Sequence, residues 1–281
     1  HCYLDPRQGI IGCFEESCRN VVCTGGNPIG MVDHLQFGNP ENPEIFWTFM
    51  ESLEGLTEYA KFLRIPCVGG KVSFYNETLT GPIKPTPLIG VLGIMDESPY
   101  LPISPDSGDY LIIIGKTKNE LGGSEYFEYI HKFVGGICPS VDFKDSKINM
   151  LGVLSLIKSK LVKSVHDCSK GGFAIAVAEL SIFGKIGCDI DIENMPCEKN
   201  LSSEKILFSE SHSRYLLVID KKNIVSVKRF LSKKKILFTV LGKFSGDQIN
   251  IKHKSVNLTK IIVDIAQKRY FNGLEDLLKH G

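Results

Sequence analysis

Hydrophobic positions follow two alternating periods along the chain, and each change of period falls at glycine, proline or small polar residues. Ile11, Phe14, Cys18, Val21 and Val22 recur at three- and four-residue spacing ahead of Gly25-Gly26, which predicts a short amphipathic helix over 11–22 with a glycine stop. Residues 29–37 predict a strand that ends in the polar turn Gly38-Asn39-Pro40. Asn42 at a cap, Pro43 at the first helical position and Glu44 near the positive end of the dipole precede a stripe of Ile45, Phe49, Leu53, Leu56, Ala60 and Leu63. This is the strongest helix signal in the chain. Strands follow over 67–74, interrupted by Gly69-Gly70, and over 88–95.

Three prolines between Asp96 and Ser107 predict a linker with a boundary near 105, so we expect domains over 1–105 and 106–281. The second stretch predicts a buried strand at 110–114, a helix opening at Gly122-Gly123-Ser124-Glu125, a helix from about 148 to 162 and a strand at 164–167. Lys170-Gly171-Gly172 leads into an apolar helix over 173–183. Strands at 216–219, 236–241 and 249–251 and a closing helix over 261–278 complete it. Such alternation favours an α/β (α+β) fold, with sheets covered by helices, over a bundle or a sandwich.

Composition narrows the function classes. A length of 281 residues with 43% hydrophobic and 23% charged residues suits a folded chain with room for two domains, and disfavours disorder. The formal charge is +1, from 33 basic and 32 acidic residues, so nothing drives broad binding to nucleic acid or anionic lipid. The run Lys233–Lys235 reads as a solvated turn. No apolar run approaches the roughly 18 residues of a membrane span. Nine cysteines without a C-x-x-C pair read as reduced thiols, acting as small hydrophobes. We therefore expect a cytoplasmic protein with no membrane partner. The start at His1 suggests a piece of a longer chain.

Both parts share a theme of carboxylates and glycine pairs at strands: Asp33 reads as ending one strand, Gly69-Gly70 interrupts another, and Asp167 precedes Ser169-Lys170-Gly171-Gly172. Glycines let backbone approach phosphate, helix N-termini offer free N–H groups, and carboxylates hold Mg²⁺ against phosphate oxygens. From spacing alone the signal is weak, because none of these is a Walker loop or a G-x-G-x-x-G fingerprint.

Longer motifs sharpen it. GNPENPEIFW at 38–47, VGGKVSFYNET at 68–78, LGGSEY at 121–126, HDCSKGG at 166–172 and LFSESHSR at 207–214 stand in order. Together they resemble the large, synthetase subunit of phosphoribosylformylglycinamidine synthase, over nearly the whole chain. The match is to the second of that subunit's two related halves. The half bearing the catalytic histidines, most metal ligands and much of the substrate pocket is missing, so no catalytic residue is expected in this chain.

The resemblance implies an aminoimidazole-ribonucleotide-synthetase-like unit, with a half-barrel-forming first domain and a mixed-sheet second domain. It implies an ATP-dependent carbon–nitrogen ligase of purine synthesis, which activates the amide of formylglycinamide ribonucleotide for attack by ammonia from a glutaminase subunit or domain. ATP and Mg²⁺ are the implied cofactors. Asp33 and Gly70 match the family's ATP contacts, and Ser73 matches a substrate contact. Lys71 stands where the family's asparagine ligates Mg²⁺; an ammonium cannot do so, and we expect it to meet a phosphate oxygen directly. Asp167 and Glu210 correspond to positions of an auxiliary Mg²⁺-nucleotide site, whereas His166 and His212 read as packing residues.

Two other readings compete. One is a noncatalytic scaffold half that keeps a structural nucleotide at Asp167 and Glu210 and docks the catalytic half and the glutaminase. The other is a free-standing relative such as a selenophosphate synthetase or thiamine-phosphate kinase, but no acidic metal loop precedes Asp33. In each case an open half-barrel would leave sheet edge bare, so the chain should seek the missing half or a second copy of itself, and should be inactive alone.

Overall fold

The computed structural model describes residues 1–95, 101, 103 and 105–280; much of the linker expected over 96–107 lies outside them. The chain opens with α1 (Pro6–Cys23), β1 (Asn27–Gln36), α2 (Pro43–Leu63), β2 (Cys67–Ser73), the short pair β3 (Glu77–Thr78) and β4 (Gly81–Pro82), and β5 (Thr86–Ile94). It continues with β6 (Tyr110–Ile114), α3 (Phe143–Lys158), β7 (Ser164–Asp167), α4 (Gly172–Gly184), β8 (Cys188–Asp191), α5 (Ser203–Phe208) and β9 (Tyr215–Ile219). The last elements are α6 (Ile224–Lys233), β10 (Phe238–Phe244), β11 (Gln248–His253), β12 (Val256–Ile262) and α7 (Val263–His280). The described residues form a three-stranded sheet in the order β2-β1-β5, a seven-stranded sheet in the order β12-β11-β8-β10-β6-β9-β7, and the β3-β4 pair. The two larger sheets are mixed: β1 runs parallel to β2 and antiparallel to β5, and β8 runs parallel to β11 and antiparallel to β10.

Local chemistry accounts for the boundaries. Asn42 accepts a hydrogen bond from the Glu44 amide, Pro43 opens α2, and Arg64 closes it in the left-handed region at φ 61°. The first helix begins five residues earlier than its hydrophobic spacing suggests, because Asp5 caps it by accepting from the Gln8 amide and Pro6 supplies the first turn. The helix expected to open at Gly122 is instead a single π-helical turn over Tyr126–Ile130, with the Ser124 hydroxyl accepting from the Phe127 amide. α3 begins at Phe143, where Asp142 accepts from the Asp145 amide. β12 occupies the start of the stretch expected as terminal helix, and α6 was not foreseen.

α1 is the keystone. It packs against α2, α3, β5 and β7, and Ile10, Ile11, Phe14, Cys18 and Val22 are buried in a core that also takes in Leu35, Leu56, Val153, Leu217 and Ile219. One hydrophobic core therefore spans the small sheet and one face of the large sheet. A second core, including Leu111, Phe173, Val177, Leu216 and Ile249, lies on the other face of the large sheet, under α4. The small sheet is clothed on one side only. Val32, Val68, Leu88, Leu92 and Ile94 remain exposed, and no strand hydrogen-bonds the free edge of β2 among the described residues. All nine cysteines are free thiols.

Candidate functional site

The parallel pairing of β1 with β2 brings Asp33 opposite Gly70, His34 opposite Lys71 and Gln36 opposite Ser73. Asp33 and Gly70 therefore meet. A Cβ placed on Gly70 would lie 2.6 and 2.8 Å from the two carboxylate oxygens of Asp33, so the absence of a side chain at 70 makes room for the carboxylate. The Cys67 thiol donates to Asp33 Oδ2 at 3.2 Å and lies at the same distance from the Gly69 carbonyl. Burial and the Asp33 carboxylate raise the Cys67 thiol above its ordinary value. Beside this group runs an open groove of about 510 Å³ between α2 and the start of β2, with Asp33, Cys67, Thr57 and Ala60 in its walls and Lys61 and Arg64 among its lining residues.

Because strand side chains alternate, Lys71 and Ser73 belong to the opposite face of the small sheet from Asp33. Lys71 is exposed. The Ser73 hydroxyl accepts from Asn76 Nδ2 at 3.2 Å, and the same amide donates to the carbonyls of Phe37 and Ser73 at 2.9 and 3.0 Å. Asn76 thus ties the ends of β1 and β2 together. Glu77 Oε1 accepts from the Asn39 amide at 3.3 Å, joining the GNPENPEIFW and VGGKVSFYNET motifs in space.

The second pair of predicted residues sits elsewhere, beneath α1. Asp167, at the end of β7, lies 3.4 Å from the Arg19 guanidinium, which also pairs with Glu15 and donates to the Cys168 carbonyl at 3.3 Å. Burial alone would push the Glu15 carboxyl up, but Arg19, with His212 and Ser213, holds it below the ordinary glutamate value. Glu210 Oε1 accepts from the amides of Gly171 and Glu125, both at 2.9 Å, and burial raises its carboxyl despite them. The carboxylate of Glu210 therefore joins the amide ahead of α4 to the amide ahead of the π-helical turn. His166 bonds Glu179 at 3.3 Å and His212 lies 3.5 Å from Glu15, which are packing and pairing contacts.

Sequence reasoning singled out neither Arg19 nor Glu15, though their spacing of four on a helix was a signal for an ion pair. It passed over Cys67 as one thiol among nine, although Cys67 stands two residues before the glycine pair Gly69-Gly70 that interrupts its strand.

As to magnesium, the donors among the described residues do not make a site. Lys71 offers no lone pair, and among the described residues no group of three or more His, Cys, Asp or Glu is arranged around a point.

Residues 1–95 match the family described as AIR synthase related protein, N-terminal domain, and residues 106–254 match its C-terminal domain. The chain belongs to the AIR synthase related family. Within it, the chain is 40% identical over 280 residues to phosphoribosylformylglycinamidine synthase subunit PurL of Thermococcus sibiricus, covering 99% of this chain and 38% of that protein. The chain thus spans well under half of that relative. Among solved structures, Thermotoga maritima PurL complexed with ATP superposes with a TM-score of 0.76 at 18% identity, over 94% of this chain and 42% of that one. The same protein complexed with FGAR gives 0.72 at 17% identity, over 93% and 44%. At those identities the likeness is one of fold, and it agrees with the AIR synthase related assignment and with the two mixed sheets.

Proposed function

We propose that this chain is the C-terminal half of an ATP-dependent ligase that converts formylglycinamide ribonucleotide and ammonia to the amidine in purine synthesis. The relative named above is a phosphoribosylformylglycinamidine synthase subunit, and the fold neighbours were solved with ATP and with FGAR. The observation that carries the reading is the Asp33 carboxylate lying over a side-chain-free Gly70 on an edge strand. Edge-strand amides with no neighbour can receive a triphosphate, and Asp33 can accept from a nucleotide hydroxyl or amine. Ser73, on the other face, is assigned to the ribonucleotide, and Lys71 to a phosphate oxygen as a point charge. Mg²⁺ enters on ligands from the missing half.

The role of the protein in such a reaction is to hold two phosphate-bearing reactants in line, neutralise charge and exclude water from a reactive iminophosphate. This chain contributes nucleotide contacts and half of the enclosing wall. The missing synthetase half covers the bare face around Val32, Leu88 and Leu92, and a glutaminase supplies ammonia; without that half, a second copy takes its place on the same face. We assign the boundary between the two domains to about residue 105 and the assembly to the cytoplasm.

The scaffold reading gains less support. Its nucleotide would need Asp167 and Glu210, and both carboxylates are engaged, one by Arg19 and the other by the amides of Gly171 and Glu125. The deciding experiment mixes this chain with the complementary half, ATP, Mg²⁺, ammonia and formylglycinamide ribonucleotide and follows amidine formation. Turnover is expected only when both halves are present, with a raised ATP KM for Asp33→Ala. Turnover by this chain alone, or an unchanged KM in the variant, would contradict the assignment.

A further inference from the structure

Resting on the reading of Asp33 as a nucleotide contact, we propose that Cys67 is its positioning residue: the thiol holds the carboxylate in the orientation that ATP meets. Met31 pairs with Cys67 but Val32 pairs with Gly69, so one extra residue is taken up on β2 at that point. In an uninterrupted strand, residues 67 and 70 would face opposite sides, being an odd number of positions apart. The irregularity removes that alternation. Cys67, opposite Met31, and Gly70, opposite Asp33, come to lie on the same face of the sheet. This is the face to which the Asp33 side chain belongs.

Two features then fix the carboxylate. Gly70 leaves the space beneath it empty, with both oxygens within 2.8 Å of where a Cβ would stand. Cys67 Sγ donates to Oδ2 at 3.2 Å, and among the described residues no other hydrogen bond or ion pair to the Asp33 carboxylate is found. Glycine thus permits the orientation and the thiol selects it. A thiol has one proton, which the Gly69 carbonyl at 3.2 Å also competes for. When Oδ2 holds that proton, Oδ1 keeps its lone pairs for a ligand. Cys67 is also the exposed cysteine of the nine, so substitution there disturbs no core.

The test uses the chain assembled with its complementary half and measures ATP binding by titration calorimetry alongside kinetics. Cys67→Ala is expected to weaken ATP binding by about fivefold to tenfold, the scale of one weak hydrogen bond to a charged group, with kcat unchanged. Cys67→Ser, which keeps an O–H donor, should restore binding to within about twofold of the parent. In an Asp33→Ala background, Cys67→Ala should cost nothing further, since the group it orients is gone. Wild-type affinity in Cys67→Ala, equal losses in the Ser and Ala variants, or additive losses in the double variant would each overturn the positioning role. If Asp33→Ala itself leaves ATP affinity unchanged, the nucleotide reading of the strand fails and this inference fails with it; loss in Asp33→Ala without loss in Cys67→Ala removes the role of Cys67 alone.

Discussion

Arg19 of the first helix reaches 3.4 Å from Asp167 at the end of β7, so a buried guanidinium from the region of the N-terminal match holds the strand end of the C-terminal match. Around it the network continues to Glu15, whose other oxygen accepts from the hydroxyls of Ser146 at 3.3 Å and Ser213 at 3.2 Å. Tyr59 of α2 bonds Ser146 at 2.6 Å. Four elements and a loop therefore share one polar node inside an apolar core. Removing one partner of such a pair leaves a desolvated charge, and Arg19→Ala is expected to destabilise the chain by about 3–5 kcal/mol. Urea unfolding would measure the loss, and a change below about 1 kcal/mol would show the node to be energetically idle.

The same node gives stability a defined acid limb. Glu15 titrates below the ordinary value of 4.5 because Arg19, with His212 and Ser213, outweighs the effect of burial. A depressed carboxyl contributes stability that is present above its unfolded value and is lost as pH falls through the folded one. Glu16 and Glu210 have the opposite sign: burial raises both, so their strain at neutral pH is relieved as pH falls through their raised values. The urea midpoint is therefore expected to fall below pH 4.5 in the parent. Glu15→Gln should flatten that limb, whereas Glu16→Gln should raise the midpoint above it. An acid limb that is as steep in Glu15→Gln as in the parent would assign the loss to other groups.

Gly70→Ala separates folding from function. The added methyl would meet only the end of the flexible Asp33 side chain, and the backbone at 70 is not left-handed. We expect unfolding stability to change by less than about 1 kcal/mol, because the carboxylate can swing aside. ATP affinity should nevertheless drop in the assembled enzyme, since the displaced carboxylate no longer faces the strand. A loss of melting temperature with unchanged ATP affinity would reverse that assignment.

How much of this was legible in the chain differs between fold and site. Helix α2 was plain because cap, proline, acidic residue and apolar stripe all agree at Asn42, Pro43, Glu44 and Ile45. Helix α6 was missed because its buried stripe is short, chiefly Val227 and Leu231, and its flanks Asn223 and Lys234 are ordinary surface residues. The register irregularity near Val32 leaves no periodic trace, since glycines at 69 and 70 carry no side chain to alternate. That is why Asp33 and Gly70 were named separately, while their contact and the thiol beside it became visible only in three dimensions. Glu210 is a like case: its motif named the residue, whereas its acceptance of the Gly171 and Glu125 amides is visible only in the fold.

Lys71 offers the sharpest test of how charge is arranged at the site. It is exposed, lies opposite His34, and carries no hydrogen bond or ion pair among the described residues, so the fold gains nothing visible from its ammonium. An unspent cation beside edge-strand amides suits a phosphate oxygen, where it would supply charge that a metal otherwise brings. Lys71→Asn should leave unfolding stability within about 0.5 kcal/mol of the parent, as for other surface changes. In the assembled enzyme it should raise the ATP KM by about fivefold, the scale of an exposed charge contact of about 1 kcal/mol, and shift the Mg²⁺ concentration needed for half-maximal rate. Steady-state kinetics across a Mg²⁺ series reads both quantities. If neither moves, the ammonium points to solvent in the working complex, and the phosphate is held by backbone and by the missing half alone.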